Sequence, residues 1–164
     1  MEIRQRKPNR LKEYDYSQNG TYFITFCTQK RYELLWKTGY QIPDHELSEY
    51  GIITEKAILK IPVCYPAVSV DQYVVMPNHV HLLLTIQKQG RAMRAPTIGT
   101  VLNQMKGAAT KQIGFSIWQK SFHDHIVRNQ REYQEIWEYI YTNPLKWEDD
   151  CFHPCRGAHC APED

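Results

Sequence analysis

Residues 68–86 read VSVDQYVVMPNHVHLLLTI, two apolar runs separated by Met76-Pro77-Asn78. Proline has no N–H to give to a ladder and Pro-Asn opens turns readily, so the stretch reads as two strands joined by a tight connection. The second strand begins with His79 and His81. Residues two apart on a strand share a face, with Cα atoms about 6.6 Å apart. Both imidazoles can therefore reach one metal ion, while Val80 turns the other way. Leu82, Leu83 and Leu84 continue the run without alternation, the pattern of a central strand buried on both faces. A hydrogen-bonded histidine pair at a sheet margin fits the same residues. The metal reading needs further ligands and a nucleophile from elsewhere in the chain.

On either side of this stretch the chain alternates strand and helix. Gly20 to Thr28 is rich in aromatic and β-branched residues and predicts a first strand, with Tyr22, Ile24 and Phe26 on one face and Phe23, Thr25 and Cys27 on the other. Leu34-Leu35-Trp36 reads as a short strand, with 40–50 as its partner or as a loop. Helical spacing of Ile52, Ile53, Ala57, Ile58 and Ile61 predicts a helix over 51–61, stopped by Pro62. Thr97 caps a second helix over 98–112, with Lys106 and Lys111 outward. Residues 117–127 read as extended. A final helix spans about 132–141, with Ile136, Trp137 and Ile140 inward and Pro144 closing it. The order predicts an α+β domain, a ferredoxin-like βαββαβ antiparallel sheet with helices mainly on one face.

The chain has 164 residues, enough for one domain with a real core. We expect a basic arm over 1–13, a folded domain over 14–147 and a tail over 148–164. Net charge is only +2, so a nucleic-acid partner would need a local patch. The candidates are Arg4, Arg6, Lys7, Arg10 and Lys12 in the arm, Lys88, Arg91 and Arg94 in the loop after the histidine strand, and Lys106, Lys120 and Arg128. Trp118 fits a base-stacking residue or a core tryptophan equally. No stretch approaches the roughly 20 apolar residues that cross a bilayer, and the expected compartment is cytoplasmic. Of the five cysteines, Cys27 and Cys64 read as small core residues. Cys151, Cys155 and Cys160, with His153 and His159, match no standard zinc spacing and read as a loose tail.

Tyr139 and Asn143 stand four apart at the end of the last helix and share a face. One reading makes Tyr139 a phenol nucleophile and Asn143 an oxygen ligand for a metal that also accepts imidazole; the other makes them a packing tyrosine and a helix cap. Met76-Pro77-Asn78 before His79-Val80-His81, the strand Tyr22-Phe23-Ile24-Thr25, and Tyr139-Ile140 followed by Asn143-Pro144 together resemble the REP-associated tyrosine transposases. These are relatives of the single-tyrosine insertion-sequence transposases, within the HUH single-strand DNA nucleases, and the likeness runs from about Tyr14 to Trp147.

The resemblance implies a ferredoxin-like fold and cleavage and rejoining of single-stranded DNA beside REP-like hairpins. It implies Mg²⁺ or Mn²⁺ on His79, His81 and Asn143, and Tyr139 as the nucleophile that forms a 5′-phosphotyrosine. Ser121-Phe122-His123-Asp124-His125 holds a second His-x-His, in which Asp124 and His125 are candidates for support rather than primary ligands. The rivals are a hairpin-binding protein with little activity and a metal-dependent phosphoesterase that uses water. A monomer is favoured over a homodimer, since the link from Arg128 to Glu132 is short.

Overall fold

The computed structural model describes residues 19–87 and 96–154. Strands β1 (Gly20–Cys27), β2 (Val68–Val75), β3 (His79–Ile86) and β4 (His123–Val127) form one four-stranded sheet in the order β2-β3-β1-β4. Every pairing is antiparallel. Helices α1 (Glu49–Leu59), α2 (Ile61–Cys64), α3 (Ile98–Ile113) and α4 (Gln130–Thr142) complete the expected ferredoxin-like order. β3 is central, which is why Leu82, Leu83 and Leu84 are all buried. No helix among the described residues is long and apolar enough to cross a membrane.

The register splits the sheet into two faces. Tyr22, Ile24 and Phe26 lie opposite Leu84, Leu82 and Val80, and together they meet Ile58 of α1 and Val101, Leu102 and Met105 of α3 in the main core. Each such side chain contributes about 1.5–3 kcal/mol on burial. The other face carries Cys27, Thr25, Phe23 and Thr21 opposite His79, His81, Leu83 and Thr85. α4 lies on this second face, against β2 and β3. α1 is capped by Ser48, and α3 by Thr97 at its start and Gly114 (φ 98°) at its end, as turn chemistry requires.

α4 is placed by polar contacts at its first turns. The Asn129 side chain accepts from Glu132 N at 2.9 Å. The Glu132 carboxylate accepts from Arg128 N at 2.7 Å and meets His125 Nε2 at 2.6 Å, tying β4 to the helix. On the β2 side, Asp71 sits at the register shift of the strand, and its Oδ2 accepts from Thr85 at 2.5 Å and from the Tyr133 hydroxyl at 3.3 Å. These anchors aim the last turns of α4 at the start of β3.

Several expectations need correction. Trp137 does not face inward: it is 37% exposed and stacks on Tyr141, because Ile140 and Asn143 occupy the buried side of the helix end. Lys106 does not face outward. Its ammonium caps the carbonyls of Gln119 and Ser121 at 3.2 and 3.3 Å and lies over the Phe26 ring. Cys64 is exposed rather than a core residue, since α1 ends before Pro62 and α2 is a separate turn. The extended stretch before β4 is reduced to a single bridge, Trp118 to Thr28. Residues 34–50 pair through one bridge, Trp36 to Leu47.

Candidate metal and nucleophile site

The site forms where β3 begins. His79 and His81 are fully buried with Nε2 atoms 3.1 Å apart, and Val80 points into the opposite core. Asn78 fixes the first ring. Its amide nitrogen donates to Phe152 O at 2.9 Å and Arg31 O at 3.3 Å, so its oxygen is left to accept from His79 Nδ1–H at 2.8 Å. With that proton on Nδ1, the Nε2 lone pair faces into the site. Thr25 sits 2.7 Å from His81 Nδ1, a hydroxyl able to accept in the same way. Burial holds both imidazoles neutral, pushing His81 down to about 3 and His79 well below its ordinary value, the latter helped by His81 and the Arg31 charge.

The third ligand, a carboxylate, comes from the segment expected to be tail. A 3₁₀ stretch, Asn143–Asp149, follows α4 and buries Trp147, whose indole N–H donates to the Tyr40 hydroxyl at 2.7 Å. The turn after it brings Asp150 Oδ2 to 3.9 Å from His79 Nε2 and lays the Phe152 ring 4.5 Å from the His79 ring. The ligand atoms of His79, His81 and Asp150 all lie within 4.8 Å of one another. Burial lifts the Asp150 carboxyl above its usual range, opposed by the Phe152 N–H and Asn143. Asn143 is itself buried and its Oδ1 has no hydrogen-bond partner. Two inward imidazole lone pairs, a buried carboxylate and an orphaned amide oxygen make a donor set that fits a divalent cation, and His79, His81 and Asp150 form such a cluster.

Tyr139 stands over it. Its hydroxyl is 3.4 Å from His81 Nε2 and its ring meets Phe23 edge-on at 6.0 Å, yet the residue is 42% exposed and open to a substrate. Burial raises the phenol to about 12; the Asp150 charge adds to the rise and Asn143 opposes it. The structure thus brings together the four residues expected to act, Tyr139, His79, His81 and Asn143, and adds Asp150.

The other candidates lie elsewhere. Trp118 is buried against Phe26 at 5.1 Å and does not offer a stacking face. Asp124 lies opposite Ile24, on the α1/α3 side, with a buried Oδ1 that lacks a partner. His125 holds α4 through Glu132 rather than meeting the histidines. Lys120 and Arg128 are exposed at the two ends of β4. Arg4, Arg6, Lys7, Arg10, Lys12, Lys88, Arg91 and Arg94 fall outside the described residues, as do Cys155, His159 and Cys160. Asp150 had no readable signal: it is one of two adjacent aspartates in a Cys/His-containing terminus.

A ferredoxin-like sheet with a His-x-His pair on its central strand and a tyrosine helix over it defines a single-tyrosine enzyme of the HUH class. No family model matches the chain. It is 33% identical over 170 residues to an uncharacterized protein of Haemophilus influenzae, across 90% of this chain and 93% of that one. It is 29% identical over 132 residues to a REP-associated tyrosine transposase of Escherichia coli K12, across 80% of this chain and 70% of the relative. Among solved structures it resembles a REP-associated tyrosine transposase bound to a REP hairpin, with a TM-score of 0.60 and 28% identity over 84% of this chain and 74% of that one. The chain is thus homologous to the REP-associated tyrosine transposases and shares their fold.

Proposed function

We propose that this protein cleaves and rejoins single-stranded DNA beside REP-like hairpins through a 5′-phosphotyrosine. The observation that carries the reading is the Tyr139 hydroxyl 3.4 Å from His81 Nε2, at the edge of the His79, His81 and Asp150 cluster. A Mg²⁺ or Mn²⁺ ion held by His79, His81 and Asp150, with the Asn143 oxygen beside them, would supply positive charge for the non-bridging oxygens of the scissile phosphate. The remaining chemistry belongs to the chain. Tyr139 attacks phosphorus in line: its oxygen forms the new P–O bond, the bond to the 3′-oxygen breaks, and that oxygen leaves as a 3′-hydroxyl. A phenol raised to about 12 is protonated at neutral pH, so its proton departs as the bond forms. The phosphotyrosine keeps the energy of the broken linkage, and a 3′-hydroxyl of another strand can reverse the step without an external energy source.

The REP hairpin carried by the related structure supports hairpin DNA as the partner. Lys120 and Arg128, exposed at either end of β4, are available to backbone phosphates. Since α4 lies over the β3 of its own chain, one chain holds both tyrosine and histidines, which supports a monomer.

Synthetic hairpin-flanked oligonucleotides with Mg²⁺ or Mn²⁺ test the reading. A covalent adduct on Tyr139, lost in Tyr139→Phe and accompanied by a free 3′-hydroxyl, is the expected result. Cleavage that survives Tyr139→Phe would make the protein a water-using phosphoesterase. Tight hairpin binding without cleavage in either metal would make it a binding module.

A further inference from the structure

The turn after β1 passes through the left-handed region at two successive residues, Lys30 (φ 50°) and Arg31 (φ 54°), neither of them glycine. Side chains with a Cβ rarely take that conformation, and it persists where the surroundings hold it, most often at functional sites. Here the surroundings do hold it. Thr28 N donates to Asn78 O at 2.9 Å, the Thr28 hydroxyl donates to Tyr32 O at 2.7 Å, and Arg31 N donates to Thr28 O at 3.1 Å. Asn78 Nδ2 donates to Arg31 O, and the same amide fixes His79 through its oxygen. The turn and the metal-type cluster therefore share one buried side chain.

The side chain that this turn presents is a guanidinium. Arg31 is half-buried, with its Cζ 5.4 Å from the centroid of the Phe152 ring, which in turn lies against His79. Its positive charge is felt at His79, where it disfavours protonation. Among the described residues no ion pair includes it. Holding an unpaired cation beside a cluster that itself fits a cation is unfavourable unless an anion joins them. In a site whose nucleophile is Tyr139, the anion that suits a planar fork of N–H donors is a phosphodiester.

We propose that Arg31 is a phosphate-binding residue of this site. Its guanidinium donates to a non-bridging oxygen of the DNA backbone at the scissile linkage or the linkage next to it. The assignment rests on the strand-cleavage reading above and adds the group that shares the phosphate's charge with the metal.

The test is single-turnover cleavage of hairpin-flanked oligonucleotides by wild type, Arg31→Gln and Phe152→Leu. Each substrate carries one uncharged methylphosphonate, at the scissile linkage or at the linkage on either side. Arg31→Gln should slow cleavage of the all-phosphodiester substrate about 100-fold, the scale for losing one donor to a reacting oxyanion. At one linkage the methylphosphonate should bring Arg31→Gln and wild type to the same rate, since no charge remains there to pair. Phe152→Leu, which removes the ring under the guanidinium, should show no such equalisation. Mn²⁺ binding followed by electron paramagnetic resonance should match between Arg31→Gln and wild type. Should the Gln variant lose Mn²⁺, Arg31→Lys carries the same comparison, with a smaller deficit equalised at the same linkage. A deficit of equal size at every linkage, or no deficit, would overturn the assignment and leave Arg31 a clip for Phe152. Absence of any adduct with wild type on the unmodified substrate would instead overturn the strand-cleavage reading itself.

Discussion

Asn78 uses both ends of its amide: the nitrogen joins Arg31 O to Phe152 O, and the oxygen receives the His79 proton. An alanine there would leave those carbonyls short of a donor and free His79 to rotate or change tautomer, so Asn78→Ala should weaken Mn²⁺ binding about 10–100-fold, the range for losing such a supporting partner. Titration by electron paramagnetic resonance reads this, and unchanged affinity would mean that Asn78 does not hold the His79 ring for the metal. The histidines it serves also set an acid limit. Both are held neutral in the folded protein, His81 down to about 3, whereas unfolded histidine titrates near 6.5. Between those values the unfolded chain binds more protons, so stability falls as pH drops below about 6.5, by up to about 1.4 kcal/mol per pH unit for each ring. Asp150, raised by burial, works in the opposite sense, so the comparison with a histidine variant is what isolates the imidazole contribution. Denaturant melts below about pH 6.5 should show the slope in wild type and a shallower one in His81→Gln; equal slopes would mean that the ring is charged when folded.

At the scale of elements, β3 was legible because its message is local. A two-residue period places His79 and His81 together, a break in alternation marks a central strand, and Pro77 marks the turn. α4 was legible in position and half-legible in orientation. Tyr139 and Asn143 follow from their four-residue spacing, but hydrophobicity alone points Trp137 inward, and an aromatic pair with Tyr141 keeps it at the surface instead. The segment 143–152 carried no period at all. It is held by Trp147 on Tyr40 and by Asn78 on Phe152, contacts across 107 and 74 positions that no local pattern announces. Lys106 failed for a related reason: helical spacing could not show the loop carbonyls waiting for its ammonium. If the 143–152 segment completes the cluster, Asp150→Asn should lower Mn²⁺ affinity by an order of magnitude or more while Tyr139 stays in place. Isothermal titration with Mn²⁺ checks this, and full affinity in Asp150→Asn would leave Asn143 as the third ligand.

Across the whole molecule, the sheet separates what holds the fold from what performs the chemistry. Leu82 and His81 are neighbours in sequence, yet one lies in the α1/α3 core and the other under α4. The two faces should therefore respond independently to substitution, as sites without shared partners do. Leu82→Ala removes a fully buried side chain from the core face and should cost about 3 kcal/mol, roughly 10 °C in melting temperature. Well below that temperature it should bind Mn²⁺ as wild type does. Asn143→Ala acts on the other face: it deletes an orphaned buried oxygen together with the amide that supports Asp150 and Tyr139, so relief and loss offset each other while a candidate ligand goes. It should bind Mn²⁺ less tightly with little change in melting temperature. Differential scanning calorimetry paired with Mn²⁺ titration of both variants gives the comparison directly. A Leu82→Ala protein that loses Mn²⁺ affinity in proportion to its stability would mean that the core face sets the strand's pitch, and with it the distance between the two imidazoles.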